Sequence, residues 1–274
     1  MTNAGAPHVV IAPAMGVPSR FYRALEKEIA SLGWSACTLA ARGIDRDTEP
    51  PSRDNDWGYQ ELVASLDKHV HRFRDAHPGV PVLVLGHSLG GQVAISYLLS
   101  GGDLDGVVLA GASVPYYPYY GARAWGIWAL AASVPLVTAV RGHWPSKGFA
   151  GPQPRTLMRQ WARLVRRRRF PHPEGALPRH ALDVPAFVLQ VEGDTLSVPR
   201  ACRALARVFE PQAVTDWTYE RSAAPDDVTI DHIAWAKAPG PALAQVRDWW
   251  ERAGAAEPQS SPGIGADGSY GTRV

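Results

Sequence analysis

Apolar residues along this chain follow two periods in turn. Val9-Val10-Ile11 is a β-branched run within His8–Ile11, closed by the turn Pro13-Ala14-Met15-Gly16, and it reads as a buried strand. Arg20–Leu32 then carries Phe21, Leu25 and Ile29 at helical spacing, with Gly33 as a stop. Trp34–Ala41 predicts a second strand. Tyr59–His77 predicts a long helix with Leu62, Leu66, Val70 and Phe73 on one face, ended by Pro78-Gly79. Val80–Leu85 predicts a third strand, Gln92–Leu99 a helix, and Val107–Ala110 a fourth strand. Much later, Ala186–Val191, Pro199–Phe209, Ala213–Tyr219 and Ala234–Arg252 predict strand, helix, strand and helix. Uninterrupted apolar strands alternating with helices imply a mostly parallel, roughly six-stranded sheet with helices on both faces. Binding sites in such sheets form at the carboxyl ends of the strands.

One stretch breaks the alternation. Residues 113–183 show no clean strand but hold Tyr116, Tyr117, Tyr119, Tyr120, Trp125, Trp128, Trp144 and Trp161 among many prolines. The stretch is too apolar for a linker and too long for a plain loop, so it reads as an inserted helical cap. The expected organisation is a core domain of 1–112 and 184–254, a cap of 113–183, and a disordered Gly/Ser/Pro-rich tail of 255–274.

Composition narrows the function classes. With 46% hydrophobic and 20% charged residues in 274, the chain can bury a large core. A net charge of +2 gives no reason to expect a nucleic-acid partner. No basic segment precedes the first apolar run, so no secretory signal is expected. The later apolar stretch Trp125–Val140 is interrupted by Pro135 and reads as too short to span a bilayer. Cys37 and Cys202 both fall in predicted core elements, without disulfide or zinc spacing. The expectation is a cytoplasmic protein with a small-molecule substrate, no metal and no organic cofactor; oligomeric state is not readable.

The chemistry centres on Gly86-His87-Ser88-Leu89-Gly90, a G-x-S-x-G pattern between an apolar strand and a helix. A serine there stands on a tight strand-to-helix turn, flanked by small residues, with the helix amino terminus aimed at the site. A serine hydroxyl needs a base to become a good nucleophile. In the α/β-hydrolase fold the partners follow in the order serine, acid, histidine. Asp194 lies just past the strand Ala186–Val191, and His232 lies past the last strand. Glu192 is the rival acid, but it belongs to the end of the strand. His87 is tied to the elbow, His8 precedes the core of the first strand, His69, His71 and His77 belong to the helix after the second strand, and His143, His172 and His180 lie in the cap on the wrong side of the acid. Ser88, Asp194 and His232 are therefore the candidate catalytic residues. The backbone N–H groups of Met15 and Leu89 are the candidate oxyanion hole, with Gly16 allowing close approach. The arginines at 163 and 166–169 read as a solvated helix end rather than a clamp for an anionic substrate or a membrane surface. The Tyr116–Tyr120 cluster serves equally well as a substrate tunnel or as cap core.

Several segments carry a family resemblance: VVIAPAMGVPSRFYRALEKEIASLGW, the Ala41–Gly43 turn, PVLVLGHSLGGQ, GHWPSKGF, RQWARLVRR and QVEGDTLSVP. They resemble an uncharacterised bacterial α/β-hydrolase family of the serine aminopeptidase/monoacylglycerol lipase-like clan. The resemblance spans the chain up to the tail. It implies a serine hydrolase with Ser88, Asp194 and His232 at the triad positions, and it leaves the substrate open. Two departures stand out. Asp231 replaces the glycine usual before the triad histidine, an extra carboxylate that either raises the histidine's pKa or reshapes its loop. The antiparallel strands that often precede the first parallel one are missing. Ester hydrolysis on a mid-sized hydrophobic substrate is the leading expectation. Peptide or amide cleavage, a non-hydrolytic acyltransferase or cyclase, and an idle binding module are the alternatives.

Overall fold

A computed structural model of the chain describes residues 5–146, 149–172 and 175–255. Six parallel strands form one sheet: β1 His8–Ala12, β2 Ser35–Thr38, β3 Val82–His87, β4 Gly106–Ala110, β7 Ala186–Val191 and β8 Val214–Tyr219. Their spatial order is β2-β1-β3-β4-β7-β8. The order reverses beside β1 and β3, and the register Ala12↔Gly86 brings the ends of these two strands together. This is the α/β-hydrolase architecture, with the expected number of strands.

The strands are apolar throughout because both faces are covered. On one face Val10, Ala12, Val82, Val84, Val107, Leu109 and Val188 pack against α2 Tyr59–Ala76, α3 Leu89–Leu99 and α6 Pro199–Ala206. On the other, Val9, Ile11, Leu83, Leu85, Val108, Phe187 and Leu189 pack against α1 Arg23–Ser31 and α7 Gly240–Ala255. Alternate residues serve opposite faces, as the two-residue side-chain period requires. Each fully buried Leu, Ile or Phe contributes about 1.5–3 kcal/mol.

Glycines set how closely α3 approaches the sheet. A Cβ on Gly90 would lie 2.0 Å from the Ala12 carbonyl oxygen, and one on Gly86 would lie 2.5 Å from the Gly91 backbone. No larger residue fits at either position.

Between β4 and β7 the chain forms a 3₁₀ turn at Tyr117–Arg123, α4 Ala124–Arg141, the two-residue antiparallel pair β5 His143–Trp144 and β6 Gln153–Pro154, and α5 Arg155–Arg167. Ala131, Val134, Trp144, Met158, Trp161, Ala162 and Val165 form a small core of its own. The amino ends of α5 and α2 are capped reciprocally. Asp56 accepts bonds from the Thr156 N–H at 2.9 Å, the Thr156 hydroxyl at 2.6 Å and Arg155 at 3.0 Å. The Trp57 carbonyl accepts the Leu157 N–H, and the Gln160 side chain accepts the Tyr59 N–H.

Several expectations need correcting. The strand β3 runs on to His87 and α3 begins at Leu89, so the turn between them is Ser88 alone. The helix expected over 234–252 is two pieces, a 3₁₀ turn Ala234–Lys237 and α7, because Pro239 and Pro241 deny backbone donors and bias Ala238 out of the helical region. Pro135 does not interrupt α4, which runs through it. Around it Val134 and Thr138 are buried, and Arg159 on α5 donates to the Thr138 hydroxyl at 3.0 Å. With its preceding turn α4 spans Tyr117–Arg141, which by length and composition reaches that of a bilayer span, contrary to the shorter estimate from sequence. Cys37 is half-buried on the edge strand β2 rather than in the core. The tail expected to be disordered from 255 onward lies outside the described residues beyond Ala255, which is still in α7.

Candidate active site

Ser88 occupies φ 53°, ψ −110°, a left-handed conformation costly for a residue with a side chain. It is held there from both sides. Its N–H donates to the Ala110 carbonyl at 2.9 Å, and its carbonyl accepts the Gly91 N–H at 3.1 Å. The hydroxyl is thereby lifted above the ends of β3 and β4.

His232 reaches it from the loop after β8. His232 Nε2 lies 2.9 Å from Ser88 Oγ, and His232 Nδ1 lies 2.7 Å from Asp194 Oδ2. A carboxylate only accepts, so Nδ1 carries the proton and Nε2 is the acceptor that faces the serine hydroxyl. Asp194 sits in the turn after β7 with a nearly fully buried side chain. Burial pushes its carboxyl up, but the His232 bond and charge, with the amides of Ser197 (2.9 Å) and Leu196 (2.7 Å), outweigh that and hold it below the ordinary value. The structure thus brings together the three residues singled out from the sequence. Glu192 points away and accepts the Arg221 N–H at an exposed turn.

The Asp231 carboxylate accepts the N–H groups of Ile233 (2.8 Å) and Ala234 (2.7 Å) and so caps the 3₁₀ turn after the histidine. These two bonds shape the loop that carries His232.

Met15 lines the cavity in front of Ser88, and Leu89 opens α3 directly behind it. Among the described residues neither amide has a hydrogen-bond acceptor. Gly16 has φ +76°, and a Cβ there would lie 2.2 Å from the Ala150 carbonyl oxygen, so only glycine lets this loop pass beneath the inserted segment.

Residues passed over in the sequence complete the site. His87 is fully buried. Its Nε2–H donates to the His232 backbone carbonyl at 2.7 Å, and its Nδ1 accepts the Tyr22 hydroxyl at 2.8 Å. Tyr22 in turn accepts the Ala14 N–H at 2.8 Å. One neutral imidazole therefore ties the Ala14-Met15 loop, the elbow and the histidine loop together. Burial, reinforced by the neighbouring His232, pushes His87 down to about 3 and keeps it neutral. Gly111 (φ +54°) sits against the pair: a Cβ there would lie 3.3 Å from His232 Nδ1. No sequence period signals either residue; an internal His next to the nucleophile was the only hint.

In front of Ser88 lies a cavity of about 390 Å³. Met15, Ile127, Leu130, Phe149 and Trp161 give it apolar walls, and Gln92, Ser113, Tyr120 and Arg123 give it polar points. The tyrosine cluster splits three ways, with Tyr117 alone packed on the cap core. Tyr120 lines the cavity and donates to the Leu196 carbonyl, whereas Tyr116 and Tyr119 lean on the main core. Arg163, Arg167, Arg168 and Arg169 are exposed at the end of α5 and Arg166 is partly so, the arrangement expected of a solvated helix end.

Comparison with known proteins bears on the family and the fold. A family model described as serine aminopeptidase, S33 (Hydrolase_4) matches residues 5–166. That span includes Ser88 but stops before Asp194 and His232. The chloroplastic pheophytinase of Arabidopsis thaliana is 32% identical over a region covering 43% of this chain and 29% of that protein, so the match spans under a third of its length. Among solved structures, a soluble variant of Saccharomyces cerevisiae monoglyceride lipase has a TM-score of 0.67 at 13% identity, covering 92% of this chain and 88% of that one. Paleococcus ferrophilus monoacylglycerol lipase has a TM-score of 0.63 at 15% identity, covering 92% and 98%. A Bacillus anthracis bromoperoxidase has a TM-score of 0.56 at 15% identity, covering 90% and 92%. At such identities the structures share the fold. With its family model matching well over half of the residues, the chain belongs to the serine aminopeptidase S33 (Hydrolase_4) family of α/β hydrolases.

Proposed function

We propose that this protein is a serine hydrolase that cleaves a carboxylic ester of a small to mid-sized hydrophobic substrate through an acyl-enzyme on Ser88. The carrying observation is the Asp194–His232–Ser88 hydrogen-bond relay opening into an apolar-walled cavity. In this reading His232 Nε2 takes the Ser88 proton as Oγ attacks the ester carbonyl, and the Met15 and Leu89 amides receive the oxyanion. His232 then protonates the leaving alcohol, and next activates water to release the acid. Asp194 holds the tautomer and offsets the imidazolium charge. Residues 113–183 act as a cap that supplies most of the apolar wall.

The cavity favours an ester over an aminopeptidase substrate. A peptide amino terminus is an ammonium and calls for a carboxylate near the nucleophile. Among the described residues that line this cavity there is no carboxylate, and Arg123 brings a cation.

The test is labelling by a fluorophosphonate probe in parent and Ser88→Ala chains, followed by a p-nitrophenyl ester panel. The expected result is labelling that disappears in Ser88→Ala, with turnover of short to medium acyl esters. Labelling without ester turnover overturns the ester assignment in favour of amide cleavage or acyl transfer. An unlabelled parent chain overturns the triad assignment itself.

A further inference from the structure

At the opposite end of the sheet, three residues far apart in sequence meet. His8 opens β1, Cys37 lies on the edge strand β2, and His69 projects from α2. Cys37 Sγ is 3.5 Å from His8 Nε2 and 3.0 Å from His69 Nε2, and all three atoms lie within 4.8 Å of one another. We propose that His8, Cys37 and His69 form a zinc-binding site, distinct from the Ser88 site and independent of the hydrolase reading.

Geometry and chemistry both carry this. Tetrahedral zinc with Zn–S of about 2.3 Å and Zn–N of about 2.0–2.1 Å puts sulfur about 3.5 Å from each nitrogen. The His8 separation meets that value, and the His69 imidazole, on a half-exposed side chain, would move out by about half an ångström. A thiol has one proton to share between two imidazole nitrogens, whereas a metal ion takes a lone pair from all three atoms at once. His8 is also oriented as a metal ligand would be. Its Nδ1 is bonded to the Ser35 hydroxyl at 2.8 Å, which leaves Nε2 directed at Cys37. Its ring is stacked on Phe73, with centroids 3.8 Å apart and planes 9° from parallel. Cys37 and His69 are half-buried, and three protein ligands leave a fourth position for water. Two imidazoles and a thiolate suit zinc better than magnesium or calcium, which take oxygen ligands. Bound there, the ion would clip β1, the edge strand β2 and α2 together.

The test uses the full chain after chelation and dialysis. Zinc is added while metal content and thermal midpoint are followed, and cobalt(II) is substituted to read the thiolate-to-cobalt charge-transfer absorption. One equivalent of zinc, a raised midpoint and a charge-transfer band are expected, with the band absent in Cys37→Ser. His69→Asn, on the half-exposed face of α2, should also lose binding, and Ser35→Ala should weaken it by about 10–100-fold by freeing the His8 ring. A parent-like circular dichroism spectrum and a cooperative thermal transition in the same samples should report that His69→Asn is folded. Absence of a cobalt–thiolate band in the parent overturns the site, as does a band that survives in Cys37→Ser or zinc affinity unchanged in folded His69→Asn.

Discussion

The proton on His232 Nδ1 is fixed by a single acceptor, the Asp194 carboxylate at 2.7 Å. Asp194→Asn puts an amide there that can present N–H instead, which favours the wrong tautomer; turnover should fall by about 10³–10⁴-fold with labelling slowed in proportion. The same carboxylate links the site to acid stability. Its folded pKa lies below its ordinary value, so its contribution is present above about pH 4 and is lost as pH falls through the folded value. Urea titrations at falling pH should show the parent losing more stability below about pH 4 than Asp194→Asn does. Tyr22→Phe probes the buried relay instead. Removing that hydroxyl leaves His87 Nδ1 and the Ala14 N–H without a partner, at about 1–3 kcal/mol for each buried group. The expected signature is a lowered denaturation midpoint together with a lower kcat and an unchanged KM, because the groups that shift are the oxyanion loop and the histidine loop, not the cavity wall.

Elements meet here through exchanged end caps as much as through apolar faces. The amino end of α5 has no capping side chain of its own, since Pro154 precedes it, and Asp56 does that work from the loop before α2. Asp56→Ala should cost about 1–2 kcal/mol of stability by chemical denaturation. Fluorophosphonate labelling of Ser88 should be retained, because the elbow is held by β3, β4 and α3. Strands and long helices were legible from their apolar periods, since β1, β7 and α2 are each sheltered by the main core. What escaped was decided by backbone chemistry at the ends: the proline-split helix before α7, the single-residue turn at Ser88, and the helix that continues through Pro135. A period of apolar residues is silent about which prolines a helix runs through and which ones end it.

At the scale of the molecule, the cavity lies between two separately packed cores, that of the sheet and that of α4 and α5. Its size therefore depends on the inserted segment and its chemistry on the sheet. Leu130→Trp adds bulk to the wall contributed by α4. Under the proposed function, kcat/KM for medium-chain esters should fall by about 10–100-fold, while acetyl esters change little. An equal loss across all chain lengths would mean that the substrate's acyl part does not lie against α4.

The amino-acid sequence by itself determined the alternating strands and helices, the elbow at Ser88, and the chain order that singled out Asp194 and His232. These are carried by local patterns: side-chain period, glycine at fixed offsets, and position after a strand. Only the tertiary structure decided that His87, Tyr22 and Gly111 support the relay, that Tyr120 faces the cavity while Tyr116 does not, and that His8, Cys37 and His69 converge. Such groupings depend on register and on how α2 lies over the edge of the sheet. Residues 29 and 32 positions apart share no local spacing that could announce them.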